Sequence, residues 1–316
     1  MKRILLFGGF GFIGTNVLNY IDEYLLDKYS VVVFERTLVH LSGKHFKCVE
    51  DVFVGDFSDD IFVESVFAAY SFDYVFHFIS STVPATSDNI VFDIESNVIP
   101  TIHLLNIMRK YNTTNIVYLS SGGAIYGESQ EKKALKETDN LLPLSSYGIV
   151  KSTIEKYLFL FHKLHGINPL VLRLSNPYGP YHSSMKQGIV NVAIKKAINQ
   201  ESITIWGDGE SKKDYIYVRD FCVILFTLID RQISNETFNI ASGSILSLNQ
   251  ILSKIKNQYP NFQWENKSAN RNDVQHFELD ITKLRKVIDD FSFTTFTEGL
   301  SQTIKWQENA KNNRVG

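Results

Sequence analysis

A phenol and an ammonium group stand four residues apart in the segment Tyr147-Gly148-Ile149-Val150-Lys151. Helical spacing would place both side chains on one face, at the start of a helix. A phenol so placed can remove a proton from a hydroxyl, or return it, while the attached carbon exchanges a hydride. Its ordinary pKa of about 10 makes it a poor base at neutral pH, and a neighbouring ammonium is expected to lower that pKa. The same spacing of Tyr and Lys also occurs on surface helices without a catalytic role. Whether it indicates a catalytic pair here therefore depends on the elements that precede it.

A glycine-rich turn follows the first apolar run of the chain. Residues 4–7 predict a buried strand, and Gly8, Gly11 and Gly14 follow it in the spacing Gly-x-x-Gly-x-x-Gly. Such a turn brings backbone N–H groups, together with the positive end of the next helix, up to a pyrophosphate. The alternative is an ordinary glycine-rich turn without a ligand.

The second predicted strand ends at Glu35 and Arg36, about 20 residues after the glycine turn. A carboxylate there can accept hydrogen bonds from both hydroxyls of an adenosine ribose, which favours NAD. Arg36 leaves NADP as the close alternative, because a guanidinium group can pair with a 2′-phosphate. Repulsion between Glu35 and that phosphate favours NAD over NADP.

Other residues stand where a predicted strand ends or where the helix after the glycine turn begins. Backbone and side chains at such positions of a parallel sheet approach a bound dinucleotide, and Asp56 is expected to meet the adenine amino group. The residues expected at the cofactor on this basis are Phe12, Ile13, Asp56, Phe57, Phe78 and Ser80.

Short apolar strands alternate with helices through the first half of the chain. The predicted strands cover residues 2–7, 30–34, 52–54, 73–78, 115–119 and 169–174, and the helices 13–24, 60–70, 89–109 and 147–164. This alternation indicates a parallel sheet covered on both faces, a Rossmann-type doubly wound α/β fold. We expect a dinucleotide-binding domain over residues 1–176, to which 214–241 return. A smaller α/β substrate lobe is expected over 177–213 and 242–316.

The composition is that of an ordinary globular enzyme, with 44% hydrophobic and 21% charged residues and a net charge of −2 over 316 residues. Without a basic surplus, nucleic acid is not expected as a partner. Cys48 and Cys222 lie far apart without metal-site spacing, so no metal is expected. No apolar run reaches the roughly 18 residues of a membrane span, and glycines interrupt the run that follows the basic start. These features predict a cytoplasmic protein without a membrane partner.

Further motifs lie along nearly the whole chain. They are Asp56, Asn97, Leu119-Ser120-Ser121, Tyr126-Gly127, Arg173-Leu174-Ser175-Asn176-Pro177-Tyr178-Gly179, Trp206-Gly207-Asp208-Gly209, Asp214-Tyr215-Ile216-Tyr217-Val218-Arg219-Asp220 and Phe238-Asn239-Ile240-Ala241. With the glycine turn and the Tyr147–Lys151 pair, they resemble the extended short-chain dehydrogenase/reductase family. The resemblance is to its nucleotide-sugar branch, which contains epimerases, dehydratases and reductases such as UDP-glucose 4-epimerase.

The resemblance implies roles that the spacing alone does not give. It makes Tyr147 the acid/base and Lys151 its electrostatic partner and a ligand of the nicotinamide ribose, and it assigns Asn97 and Ser120 to the cofactor. It implies a homodimer joined by a four-helix interface, formed by helices 89–109 and 147–164. The residues that it assigns to the nucleotide-sugar substrate are Asn176, Trp206, Lys213, Arg271 and Asp273.

One departure from the family pattern concerns the catalytic hydroxyl. The family usually carries Ser or Thr four residues before the Tyr of the Tyr-Gly pair, where this chain has Gly122. Either Ser121 replaces that hydroxyl through a shifted loop, a hydroxyl from Ser80 to Thr82 reaches the substrate, or the site works without one. Loss of one positioned donor costs about 10²-fold in rate.

Several reactions are compatible with these motifs. The family's 4,6-dehydratases carry an Asp-Glu pair where this chain has Gly123 and Ala124, so dehydration is not expected. A 4-epimerase acting on a UDP- or dTDP-hexose is favoured, with NAD as cofactor. The alternative is an NADPH-dependent 4-ketoreductase acting on a dTDP-4-keto-6-deoxyhexose, as in the formation of dTDP-fucose. A third interpretation, based on Gly122, is a catalytically silent dinucleotide-binding module.

Overall fold

The computed structural model describes residues 1–37, 45–82, 89–128, 133–185, 187–268 and 276–315. Contacts divide the chain into two compact units. Unit 1 consists of Met1–Ile125, Pro143–Arg173 and Leu225–Phe238, and unit 2 of Tyr126–Leu142, Leu174–Ile224 and Asn239–Gly316.

The strands and helices follow the predicted alternation. In chain order the strands are β1 (Lys2–Phe7), β2 (Tyr29–Glu35), β3 (Val49–Val54), β4 (Tyr74–His77), β5 (Asn115–Ser121), β6 (Asn168–Leu174), β7 (Asn176–Tyr178), β8 (Ile203–Trp206), β9 (Lys212–Tyr217), β10 (Glu236–Ile240), β11 (Ile245–Ser247), β12 (Trp264–Lys267) and β13 (His276–Phe277). The helices are α1 (Phe12–Tyr24), α2 (Asp60–Ala69), α3 (Ile90–Asp93), α4 (Ile99–Lys110), α5 (Gly122–Ile125), α6 (Ser146–His165), α7 (Ile189–Ile198), α8 (Val218–Asp230), α9 (Leu248–Gln258), α10 (Thr282–Arg285) and α11 (Phe296–Val315). A π-helical turn, Ile94–Val98, joins α3 to α4.

The main sheet contains seven strands in the order β10-β6-β5-β4-β1-β2-β3. β1 pairs in parallel with both β2 and β4, so the direction of winding reverses at β1. The apolar runs of β1 and β2 are completely buried, as expected for strands covered on both faces. This topology confirms the predicted doubly wound α/β fold, in which ligands bind at the carboxyl ends of the strands next to the reversal.

Local side chains set where several helices begin and end. The carboxylate of Asp59 caps α2 by accepting the N–H of Phe62 (3.0 Å). Ser145 caps α6, and Gly166 ends it in the left-handed conformation (φ +70°), which suits glycine.

The predicted helix over residues 89–109 contains an irregularity that its sequence pattern does not reveal. In the π-helical turn, the hydroxyl of Ser96 donates to the carbonyl of Phe92 (2.6 Å). At the start of α4, the hydroxyl of Thr101 donates to the carbonyl of Asn97 (2.6 Å). Such bonds to the carbonyl four residues back compete with the backbone ladder. Single π-turns of this kind are frequent at functional sites.

Unit 2 is a smaller α/β body with its own core. A four-stranded sheet has the order β11-β9-β13, with β7 also paired to β9, and β8 pairs with β12. The core of this unit contains a cluster of aromatic rings, in which Tyr178 contacts both Tyr217 and Phe296.

The contact-based units have other bounds than the predicted domains, and the segment after Arg173 belongs to unit 2 from Leu174 rather than from residue 177. Tyr126–Leu142 belongs to unit 2, because the Tyr126 hydroxyl donates to the side-chain oxygen of Asn239 (2.7 Å) and Leu135 bridges to Leu279. The segment that returns to unit 1 is Leu225–Phe238 rather than 214–241.

No helix among the described residues is long and apolar enough to cross a membrane.

The turn between β1 and α1 requires two of its glycines for different reasons. Gly8 has a φ of +82°, which a side chain disfavours. Gly14 lies on the first turn of α1, where a Cβ atom would be 2.3 Å from the carbonyl oxygen of Gly8. At Gly11 the same atom would be 3.3 Å from that oxygen. The third glycine therefore permits the helix to pack directly against the turn.

We expect Gly14→Ala to lower the free energy of unfolding by about 2–3 kcal/mol, because the new methyl group overlaps two backbone carbonyls. The matched variant Gly11→Ala, in the same turn, should cost under about 1 kcal/mol. Urea unfolding of both variants measures the difference. Equal losses would contradict the packing role assigned to Gly14.

Candidate active site

Tyr147 and Lys151 lie on the first two turns of α6, as the sequence predicts. The hydroxyl of Ser145 accepts the N–H of Gly148 (3.2 Å) and so fixes where the helix begins. A Cβ atom at Gly148 would lie 2.2 Å from the carbonyl oxygen of Ala124, so glycine at this position lets α6 pack closely on α5. The close packing at Gly148 therefore places the phenol of Tyr147 next to the end of β5.

The ammonium of Lys151 is buried within unit 1, and the side chain is 4% exposed. It donates a hydrogen bond to the carbonyl of Leu119 (2.8 Å). It also lies 4.9 Å from the ring centre of Tyr118 and 5.7 Å from that of Tyr147. Burial lowers the pKa of Lys151 to about 8, and the carboxylate of Glu155 opposes that change.

The phenol of Tyr147 has a pKa opposite in direction to the one expected. Burial raises the pKa of Tyr147 to about 12, while a hydrogen bond with the Ser121 side chain acts to lower it. The pKa of Tyr147 therefore rises on balance, contrary to the expected decrease, because loss of hydration has a larger effect than the hydrogen bond with Ser121.

The Ser121 side chain forms a hydrogen bond with the phenol of Tyr147. Ser121 is the last residue of β5, and the buried Gly122 begins α5 without a side chain. The Ser80 hydroxyl instead donates to the carbonyl of Thr82 (2.7 Å). The Thr82 hydroxyl is buried and has no hydrogen-bond partner within the described ranges. Of the alternatives raised by Gly122, the hydrogen bond to Tyr147 supports Ser121.

The glycine turn and Glu35 lie at the ends of adjacent strands. Gly8 donates its N–H to the carbonyl of Phe34 (3.0 Å), and one carboxylate oxygen of Glu35 accepts the N–H of Phe10 (3.1 Å). Gly11 precedes α1 without a side-chain cap, so N–H groups of the first turn can meet an anion. Phe12 and Ile13 open this helix, half-buried.

The remaining cofactor candidates of the strand ends differ in what they expose. Asp56 is exposed and caps its own turn by accepting the N–H of Ser58 (2.8 Å), and Arg36 is exposed beside Glu35. The ring of Phe57 is buried and contacts the ring of His77 (5.2 Å). Phe78 stacks on Phe76 (5.6 Å). Cofactor contact stays a prediction for all four candidates, and for Phe57 it is restricted to the backbone.

The side chain of Asn97 is already engaged in the π-helical turn. Its oxygen accepts the N–H of Ser81 (2.9 Å), and its NH₂ group donates to the carbonyl of Asp93 (3.0 Å) and the hydroxyl of Ser96 (2.9 Å). Both N–H donors of this amide are engaged, so a bond from its NH₂ group to a cofactor would replace one of these contacts. The geometry gives Asn97 the role of fixing the loop after β4, and its predicted cofactor contact stays untested.

A buried histidine supports the same turn. His77 Nε2 lies 2.8 Å from the Thr101 hydroxyl, whose proton is donated to the carbonyl of Asn97. Nε2 must therefore carry the imidazole proton and donate it to Thr101. Burial lowers the pKa of His77 to about 3, so the ring is neutral at physiological pH.

The Ser120 side chain contacts a buried ion pair formed by Glu155 and Arg173. Glu155 lies one helical turn after Lys151 on α6. The Ser120 hydroxyl donates to Glu155 (2.5 Å), and Arg173 contacts the same carboxylate at 2.7 Å. The Ser120 side chain therefore donates to this pair, and its cofactor contact, predicted from the resemblance, stays a prediction.

Three of the five predicted substrate residues of unit 2 lie in the described part of the chain. The Asn176 side chain donates to the carbonyl of Asp214 (2.8 Å), Trp206 is 59% exposed at the end of β8, and Lys213 is half-buried on β9. Arg271 and Asp273 lie outside the described residues. Substrate binding stays a prediction for all five, and for Thr82 and Gly122 of unit 1.

Two residues near Lys151 were not among the predicted site residues. Glu155 follows Lys151 by four residues, so helical periodicity alone could have identified it. Tyr118 gave no local signal, because its contact with Lys151 joins a strand to a helix about 30 residues later. In the described part of the chain, no group of three or more His, Cys, Asp or Glu residues is placed to hold a metal ion.

Comparison with known proteins agrees with this geometry. The model of the NAD dependent epimerase/dehydratase family matches residues 4–241. A provisionally named UDP-glucose 4-epimerase of Methanocaldococcus jannaschii is 31% identical over 99% of this chain and 100% of its own length. The dTDP-4-dehydro-6-deoxyglucose reductase of Escherichia coli is 29% identical over 80% of each chain.

A solved structure extends the comparison to three dimensions. The UDP-glucose 4-epimerase of Thermotoga maritima, crystallised with UDP-glucose, superposes with a TM-score of 0.88 at 29% identity, covering 98% of this chain and 99% of the other. These results confirm the resemblance drawn from the motifs and the expectation of an enzyme that uses NAD. The chain belongs to the NAD dependent epimerase/dehydratase family.

Proposed function

We propose that this enzyme inverts the configuration at C4 of a nucleotide-activated hexose, through a transient 4-keto sugar. The observation that carries the proposal is the cluster of Tyr147, Lys151 and Ser121 at the end of β5. It lies in the same unit as the glycine turn and Glu35. Such a cluster can move a proton at a sugar hydroxyl while hydride leaves the attached carbon.

The residues of unit 1 fit an NAD molecule. The turn is compact, because Gly14 has no Cβ to push α1 away, and the Glu35 carboxylate is held by the turn's own N–H group. When bound, NAD would supply the hydride chemistry at C4, and the positive charge of its nicotinamide ring would favour a phenolate at Tyr147. Glu35 would hold the adenosine ribose, and the glycine turn the pyrophosphate.

Tyr147 performs the proton transfer. Its phenolate accepts the proton of the C4 hydroxyl during oxidation, and the resulting phenol gives that proton back when the ketone is reduced. The high pKa of the phenol in the buried site makes its ionised form a strong base. The Lys151 ammonium and the Ser121 hydroxyl stabilise that ionised form.

Three observations bear on the choice of reaction. Gly123 and Ala124 carry no group that could transfer a proton to a leaving hydroxyl, which disfavours dehydration. Epimerisation is supported by the relatives named as UDP-glucose 4-epimerases. The second candidate is reduction of a dTDP-4-keto-6-deoxyhexose, supported by the reductase relative and by the departure at Gly122. Both candidates use Tyr147 in the same role, with a UDP- or dTDP-linked sugar as substrate.

The identity and stoichiometry of the bound dinucleotide test epimerisation against reduction. We expect denatured protein to release NAD in near-equimolar amount, because an epimerase must retain its cofactor between the two half-reactions. Chromatography of the supernatant, followed by assays with UDP- and dTDP-hexoses, makes the measurement. Protein that holds no dinucleotide, binds NADPH reversibly and reduces a dTDP-4-keto sugar would reject the proposal in favour of the reductase.

Removal of the phenol tests the acid/base assignment. We expect Tyr147→Phe to lower kcat by at least ~10²-fold and to leave the Kd of NAD nearly unchanged, since only the proton-transfer group is lost. Ser121→Ala should lower kcat in the same assay by about 10-fold or more. The matched control is Tyr157→Phe, a half-buried tyrosine of the same helix. If the Tyr147→Phe variant keeps the kcat of the wild type, Tyr147 is not the acid/base group.

The carboxylate of Glu35 tests the choice of NAD. We expect Glu35→Gln to weaken NAD binding about 10-fold and NADP binding little, since it removes both a charged ribose acceptor and the repulsion of a 2′-phosphate. Glu23→Gln, an exposed carboxylate of α1, is the control. Fluorescence titration gives both affinities, and equal losses for the two dinucleotides would count against the role of Glu35.

We also propose that two copies of the chain associate through α6 and the helix of residues 90–110. Exposed apolar side chains lie along α6 at Ile149, Leu160 and Leu164, and along the packed neighbouring helix at Ile90 and Ile94. Two such helices from each copy would form a four-helix interface.

The association state in solution tests this interface. Sedimentation at micromolar concentration should show a dimer for the wild type, and a monomer for Leu160→Glu because the new charge would be buried. Leu26→Glu, at an exposed leucine after α1, should remain dimeric. A monomeric wild type would refute the interface.

A further inference from the structure

We propose that Tyr118 is a positioning residue whose ring face holds the Lys151 ammonium in place beside the phenol of Tyr147. The proposal rests on the proposed function, because it concerns how the proton-transfer pair is kept in working geometry. It assigns to Tyr118 a role that neither the spacing of the motifs nor the family comparison gives.

The hydrogen-bonding of Lys151 is incomplete for a buried ammonium. The group has three N–H donors. In the described ranges it makes one hydrogen bond, to the carbonyl of Leu119. Of the two aromatic rings over which the nitrogen lies, that of Tyr118 is the nearer, with its centre at 4.9 Å. The negative face of an aromatic ring attracts a desolvated cation more strongly than it attracts a hydrated one.

The ring of Tyr118 is itself fixed. It is completely buried on β5, in the same core cluster as Val150 and Ile154 of α6. On another side it meets the ring of His77 edge-on (5.3 Å, 66°). The strand thus presents a rigid aromatic surface to the lysine, so the ammonium cannot move away from Leu119 without losing that surface.

The proposed role of Tyr118 depends on its ring and not on its hydroxyl. The hydroxyl is buried without a hydrogen-bond partner among the described residues, which is unfavourable for a phenol. Burial raises the pKa of Tyr118 far above its ordinary value, so the group stays neutral. The ring and the hydroxyl can therefore be separated experimentally, because phenylalanine keeps the first and removes the second.

Other ionisable groups around Lys151 do not replace the ring. Glu155 of α6 is bound by Arg173 of β6 and by the Ser120 hydroxyl of β5. His77 of β4 is neutral, and Tyr147 of α6 offers its ring at the longer distance of 5.7 Å. Without the Tyr118 ring, the cationic form of Lys151 would keep one carbonyl bond and a carboxylate already paired to an arginine.

The test measures the titration of Lys151 directly, by NMR of the lysine ε-carbon in ¹³C-lysine-labelled protein, assigned with Lys151→Arg. We expect Tyr118→Leu to move the midpoint about one pH unit lower, since loss of the ring face disfavours the cation. Tyr118→Phe should titrate within about 0.3 unit of the wild type. The exposed Lys163, which lies over Phe159 at 5.4 Å, is the internal reference.

Activity provides the second measurement. The alkaline limb of the kcat profile should move with the NMR midpoint in Tyr118→Leu, while the Kd of NAD changes less than about 2-fold. If Tyr118→Leu does not fold, pentafluorophenylalanine at position 118 keeps the shape of the ring and weakens its negative face, and the same shift is expected.

The outcomes separate the two proposals. Wild-type titration of Lys151 in a folded Tyr118→Leu protein would overturn the role of Tyr118, whatever the enzyme's reaction is. A shifted midpoint in Tyr118→Phe would also overturn it, because the hydroxyl would then be the group that matters. A shifted midpoint in Tyr118→Leu alone, in a protein without epimerase activity, would support the positioning role and reject only the proposed reaction.

Discussion

The ammonium of Lys151 lies where water cannot hydrate it, and a buried cation persists only where its surroundings replace that hydration. Here the replacement comes from one backbone carbonyl, an aromatic face and a carboxylate one helical turn away. The carbonyl of Leu119 and the ring of Tyr118 belong to β5, so both depend on α6 packing tightly against that strand. Gly148 lets α6 pack closely on α5, the short helix that directly follows β5, since any side chain there would collide with the carbonyl of Ala124.

The same burial governs the phenol beside it. Loss of water raises the pKa of Tyr147 and lowers the pKa of Lys151, so burial disfavours the charged form of each group. A phenolate and an ammonium side by side relieve part of that penalty for one another.

A second buried polar network holds the loop after β4. It runs from His77 through Thr101 to the carbonyl of Asn97, and from the Asn97 side chain to the backbone of Ser81. Because His77 remains neutral, this chain of hydrogen bonds carries no charge into the core. The network holds the backbone of Ser81, which follows the carboxyl end of β4, against the π-helical turn.

The sequence by itself determined the alternation of elements, the glycine turn, Glu35 at the end of β2, and the Tyr147–Lys151 pair, because each depends on periodicity or on short spacing. Only the tertiary structure showed that the side chains of Asn97 and Ser120 are used internally. It also decided that the pKa of Tyr147 rises, and that Tyr118 lies under Lys151. These facts depend on burial and on contacts between residues far apart in the chain, and neither is encoded in any local pattern. A buried polar side chain is directed by whichever partners the fold brings within reach, and those partners come from other strands and helices.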